Sequence, residues 1–231
     1  VAPSLGRMSL RSTNALLAAF NARLGVWLPN PRFEHDRRST PRLVNMFKEI
    51  FGLYDEDEPN LYTTDGGHWE NLGLVELLRK ECDRIVCLDA SADPPGSYTT
   101  LRQAMQLARL ECKATIDVSD ETWEVLTPDD HGVARKNYGL ATVSYDSGAT
   151  GQILFIKAAV AAGTSLPVLR YASADRAFPN YSTGDQFLSD GELEHLMQLG
   201  YESVNAALAD HDQFAAEALL GSVAESSGGS R

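Results

Sequence analysis

Apolar residues along this chain recur at two spacings, and the switches between them mark its elements. Leu16, Leu17, Phe20 and Leu24 fall on one helical face, with Ser12 or Thr13 as cap and Gly25 as stop. Residues 26–31 carry Pro29 and Pro31 and are extended, because proline restricts the residue before it. Thr40 with Pro41 opens a second helix through Leu43, Val44, Phe47, Ile50 and Phe51, ended by Gly52. A β-prone run, 61–64, then reaches Asp65 and breaks on Gly66 and Gly67, where a side chain is expected to clash with the turn. A polar segment follows, then an apolar-periodic helix to Leu78 and a β-rich run within residues 82–91.

Residues 93–97 form a loop, and Thr99 or Thr100 caps a helix with Leu101, Met105, Leu107 and Leu110. Residues 114–118 read as a strand. To this point helix and strand alternate as in a layered α/β sheet. Residues 140–145 and 152–158 are strands around the hairpin turn 146–151. The apolar run continues to Gly163, as the strand's end or a short helix, and 178–183 is irregular. Ser189 or Asp190 starts a helix through Leu193, Leu196, Met197 and Leu199, which Gly200 breaks, and 203–220 is a last alanine-rich helix. Residues 222–231 are a small polar tail, expected to be disordered.

The 231 residues are 43% hydrophobic and 23% charged, as in a soluble globular protein. The longest apolar run, 153–168, is interrupted by Lys157, Gly163 and Pro167, so no bilayer-length span is present. No signal-peptide pattern opens the chain. The expected location is the cytoplasm or the cytoplasmic face of a membrane. The chain begins on Val1, without Met, and reads as a fragment whose upstream part is missing. The net charge of −12 disfavours nucleic acid, which needs a basic face, but does not exclude a neutral lipid. Three cysteines fit a reduced compartment better than a disulfide framework.

Several constellations bear on chemistry. Arg37 and Arg38 can bind an anion, although a solvated loop is the better reading. The carboxylates of 55–60 match no calcium-loop spacing. His68-Trp69-Glu70 matches half of a zinc deaminase signature, but Cys82 and Cys87 are spaced wrongly for the other half and the proline is absent; no metal or cofactor is expected. Cys87 falls in a strand expected to be buried. No G-x-S-x-G exists; the nearest stretch, around Ser4, has Ala2 for the first glycine and no strand before it.

Asp65-Gly66-Gly67, then Asn71, then a helix, then residues 83–91 resemble the second catalytic motif of patatin-like phospholipases, and a similar run occurs in the cytosolic phospholipases of that superfamily. The flanks around Gly6, residues 21–31 and residues 178–187 resemble the C-terminal part of bacterial patatin-like proteins. One position departs: Gly73 stands where patatins often carry proline, at a cost of about 1 kcal/mol if it lies within a helix.

The resemblance implies a layered α/β/α patatin-like sheet, incomplete because the N-terminal part of the domain is missing, with a β-hairpin and C-terminal helices. Residues 1–221 are then the C-terminal portion of one domain. It implies a lipid acyl ester hydrolase with a Ser–Asp dyad. Asp65 is the general base, Gly66 and Gly67 are the supporting turn, and the serine lies on an upstream segment. The chain alone is expected to be inactive. Asn71 is a helix cap or stands behind the dyad; His68 and Trp69 are on the rim, within possible reach of an acyl chain or head group; Glu70 is solvated. Asp89 ends its strand with a structural hydrogen bond in preference to a catalytic one. The alternative is a non-catalytic scaffold or interaction domain that keeps the fold. The acyl substrate is open on either reading.

Overall fold

The computed structural model describes residues 25–33, 42–51, 53, 55, 57–64, 66–181 and 187–215. The chain forms two compact units, Val1–Asn71 and Leu72–Arg231. The helix expected over 12–24, Ser4, Arg37, Arg38 and the polar tail lie outside the described residues.

In the first unit, β1 (Gly25–Pro29) pairs antiparallel with β2 (Asn60–Thr64). Trp27 stands opposite Tyr62, with ring centroids 5.3 Å apart. Gly25 is required: a Cβ there would lie 2.5 Å from the Thr63 carbonyl oxygen. Between the strands runs α1 (Arg42–Phe51), as its apolar spacing predicts. Trp27 Nε1 donates to Glu49 Oε1 at 2.8 Å, and Lys48 pairs with Glu58. Buried Asn30 closes the open end: its Nδ2 donates to the Glu58 carbonyl at 2.9 Å, and its Oδ1 accepts from Arg32 N at 3.0 Å.

The second unit is built on a mixed sheet of β3 (Arg84–Asp89), β4 (Thr115–Asp117), β5 (Tyr138–Ser144) and β6 (Thr150–Lys157), in the order β3-β6-β5-β4. β3 and β6 are parallel; the other two pairings are antiparallel. β6 is central, and every residue from Ile153 to Lys157 is buried, the run expected of a strand covered on both faces. One face (Ile85, Cys87, Val143, Ile153, Phe155) packs under α2 (Leu74–Arg79), α3 (Thr99–Leu107) and α4 (Asp120–Leu126). The other (Tyr138, Leu154, Ile156) packs on Ala207 of α6 (Asp190–Asp210) and on Phe214. A third cluster joins Val160 and Phe178 to Val168 of α5 (Leu166–Ala174) and Leu199 of α6. The protein is therefore of mixed α/β class.

The structure departs from the sequence expectations in four places. α4 and α5 were not expected. Pro167 reads as an interruption, but it sits in the first turn of α5, where its missing N–H costs nothing. α6 runs straight through Gly200. A capping box between Ser189 and Glu192 starts it, and burial of Leu199, Ser203 and Ala207 outweighs a glycine cost of about 1 kcal/mol. Neither Thr99 nor Thr100 caps α3. The cap residue is Tyr98, and the side chain that serves the helix end is Asp93, whose Oδ2 accepts from Thr100 N at 3.1 Å. α3 also continues past Leu107 as a π-helical turn, Ala108–Cys112.

Candidate functional site

The glycine turn comes directly off β2, which delivers the chain to position 65. Asp65 itself, the base expected from the resemblance, lies outside the described residues. After it, Gly66–His68 form a 3-10 turn, closed by Trp69 N and Glu70 N donating to the Gly66 carbonyl at 2.9 Å each. Gly66 is exposed and Gly67 half-buried; Trp69 and Glu70 are half-buried, so Glu70 is less solvated than expected. For His68 the backbone alone is described. A Cβ on Gly66 would meet nothing within 4 Å among the described residues.

The left-handed residue of this stretch is Gly73, at φ 66°. It is the cap residue of α2, outside the helix, so its conformational freedom helps where an interior glycine would cost. Asn71 is exposed and does not cap α2, a correction to the cap expectation: the chain needs two more residues to turn into the helix.

In the second unit, charged groups converge beyond the C-terminal ends of β3 and β6, a common position for ligand sites in α/β sheets. Asp89 and Lys157 are opposite each other in the parallel register. Lys157 Nζ lies 3.1 Å from Asp89 Oδ1 and 3.5 Å from Asp93 Oδ2, and both pairs are almost fully buried. The same Nζ donates to the Ser91 carbonyl at 2.7 Å and to Ser91 Oγ at 2.8 Å. Ser91 in turn donates to Asp89 Oδ1, from N at 2.8 Å and from Oγ at 2.6 Å. Asp89 Oδ2 is buried without a hydrogen-bond partner.

Burial alone would raise the Asp93 carboxyl. The hydrogen bonds from Thr100 N and Oγ1, with Lys157 nearby, outweigh it and hold the group below its ordinary value. Tyr98, whose hydroxyl donates to the Leu126 carbonyl at 2.6 Å, is pushed up to about 12 by burial and by the charge of Asp89. Lys157 is thus a cation tied between two carboxylates. Ser91 Oγ spends its proton on Asp89 and a lone pair on Lys157. The cluster fixes the strand ends; it does not present a nucleophile. The expectation that Asp89 makes structural hydrogen bonds agrees with this geometry.

Asp93 and Lys157 also lie in the wall of a cleft of about 740 Å³. Leu126, Val160, Leu169 and Phe178 supply apolar surface, and Asp130, His131 and Arg176 stand on its lining. The sequence reading took Lys157 only as a break in an apolar run and Asp93 only as the start of a loop, and passed over Arg176. The available signals were a lysine inside a buried strand and the alternation Asp89-x-Ser91-x-Asp93 past a strand end. Nothing local marks Arg176. All three cysteines are free thiols: Cys87 is buried, as expected of a strand residue, and burial raises the Cys112 thiol. Comparison with protein-family models, with curated proteins and with solved structures found no match.

Proposed function

We propose that this chain is the C-terminal portion of a patatin-like lipid acyl ester hydrolase and carries the aspartate of a Ser–Asp dyad at Asp65. The observation that supports the reading is the run of residues 62–91. A strand leads into Asp65, a glycine turn follows, and then come a short helix and a second strand ending in Asp89.

In the mechanism Asp65 takes the proton of a serine hydroxyl. That oxygen attacks the acyl carbonyl and expels the alcohol, and water then hydrolyses the acyl-enzyme. A carboxylate is a weak base at its ordinary value of about 4, so the dyad needs a short hydrogen bond and partial desolvation. The 231 residues hold no G-x-S-x-G, so the serine is assigned to another segment of the protein. His68 and Trp69 are proposed for the rim, and the substrate is an acyl ester, phospholipid or neutral lipid.

The test is Asp65→Asn in protein that carries the G-x-S-x-G segment, assayed with a short-chain nitrophenyl ester. The expected loss in kcat is on the order of 10²–10⁴, with the unfolding transition unchanged. A variant that keeps most of its rate would show that Asp65 is not the base. If the unmodified protein is itself inactive, the scaffold alternative takes its place.

A further inference from the structure

α6 has two apolar faces, and the core of the second unit uses one of them. Leu199 packs on Val168 of α5, and Ala207 packs on the sheet. Leu193, Met197 and Tyr201 stand at i, i+4 and i+8 on the opposite face, and are 49%, 67% and 70% exposed. At 1.5 Å per residue they make an apolar ridge about 12 Å long. Asp190, Glu194 and Gln198 form the parallel ridge beside it. Two such ridges bound the kind of groove into which the ridge of another helix packs.

The charge on this face is of one sign. No Lys or Arg occurs between Ser189 and His211. The other acids of α6 are answered: Glu192 closes the capping box, Glu202 Oε2 accepts from Ser165 N at 3.0 Å, and Asp210 pairs with Lys136 at 2.5 Å. The Asp190 and Glu194 carboxylates make no ion pair or hydrogen bond among the described residues. His195 is turned to the flank, where its ring stacks on Tyr171 with centroids 4.0 Å apart. An apolar ridge beside two unanswered carboxylates is complementary to a partner ridge that is apolar on one side and cationic on the other. A second copy of this chain joined through the same face brings no cation, so it answers neither acid.

We propose that this face of α6 docks a cationic amphipathic helix of a partner protein, with the partner's apolar row on Leu193, Met197 and Tyr201 and its Lys or Arg beside Asp190 and Glu194. Contiguous exposed apolar side chains rimmed by polar ones mark an interaction surface. Methionine adapts to the shape that meets it, and tyrosine is enriched where partners pack. The flanking acids set which partner is accepted more than how tightly it is held. The inference does not rest on Asp65 or on the hydrolase reading.

The probe is a leucine–lysine helix of about 18 residues with every leucine on one face. It is titrated calorimetrically into the full chain, alongside its leucine–glutamate counterpart. Saturable binding of the lysine peptide with Kd at or below about 100 µM is expected, and binding of the glutamate peptide at least about tenfold weaker. Met197→Ser and Glu194→Lys each weaken the lysine peptide about tenfold. Asp130→Lys reverses an exposed, unpaired acid away from α6 and changes the affinity less than about twofold, which separates this face from the net charge of −12. All three positions are exposed, so the thermal melt stays in place. No saturable binding of the lysine peptide, equal binding of the glutamate peptide, or an equal loss in Asp130→Lys and Glu194→Lys overturns the proposal. So does sedimentation of the free chain as a dimer that Met197→Ser dissociates, or binding to phosphatidylcholine vesicles that the same variant loses.

Discussion

Among the described residues, the two units bury different kinds of residue. Among the described residues of the first unit, those that are buried are polar: Asn30, Asn45 and Glu49. On α1, Leu43, Val44, Phe47 and Phe51 are exposed. Phe47 and Phe51 stack on each other with centroids 6.5 Å apart. In the second unit the buried residues form three apolar clusters, and the charged exceptions, Asp89, Asp93 and Lys157, are paired. The difference shows what an amphipathic period determines. It gives a helix two faces, but the neighbours decide which face turns inward. Trp27 Nε1 requires an acceptor, Glu49 supplies it, and the polar face of α1 follows Glu49 inward.

The sharpest way to break this contrast is to unpair the buried charges. Lys157→Met leaves Asp89 and Asp93 without their cation and should cost about 3–5 kcal/mol, read as a lower urea midpoint. A loss under 1 kcal/mol would mean that the pair is solvated. Next comes Leu154→Ala, which opens a cavity at the centre of β6. Its expected cost is about 2–5 kcal/mol in the same measurement.

A pH series tests Asp93 separately. Its folded value is lowered, so its contribution is complete above the unfolded value of about 3.9 and is lost as pH falls through the lower folded value. Unfolding free energy should therefore fall on the acid side, and Asp93→Asn should flatten that limb. An unchanged acid slope in the variant would remove Asp93 from the account. The smallest effect belongs to the first unit: Phe47→Ala, at an exposed position, should change stability by no more than about 0.5 kcal/mol. A cost like that of Leu154→Ala would show that Phe47 is covered in solution.

Much of the sheet was legible from local signals. The hairpin of β5 and β6 follows from two apolar runs around Gly148, which sits at φ 88° in the turn. The strand ending at Asp89 and the helix over α1 follow from their periods. What failed were places where one residue type carries two meanings. Proline ends a helix or begins one, and at Pro167 it begins α5. Glycine breaks a helix or is carried by it, and at Gly200 the packing of α6 carries it. The cluster at Lys157 was illegible for a different reason: its partners are 66 residues away, at Ser91, and adjacent only because β3 and β6 run parallel. At the glycine turn the strand before and the helix after were legible. The cap was misread because Gly73, two residues on from Asn71, makes the left-handed entry.

β6 has two partners of very different reach, and this sets an order of events in folding. Its antiparallel pairing with β5 closes through a short turn and can form within microseconds. Its parallel pairing with β3 must wait until the whole intervening chain has been gathered, and such long-range closure is slow. During synthesis β3 emerges first and has no partner in this sheet until β6 follows. The Asp89–Lys157 pair is therefore among the last contacts to form, and substitutions at Lys157 should speed unfolding far more than they slow folding.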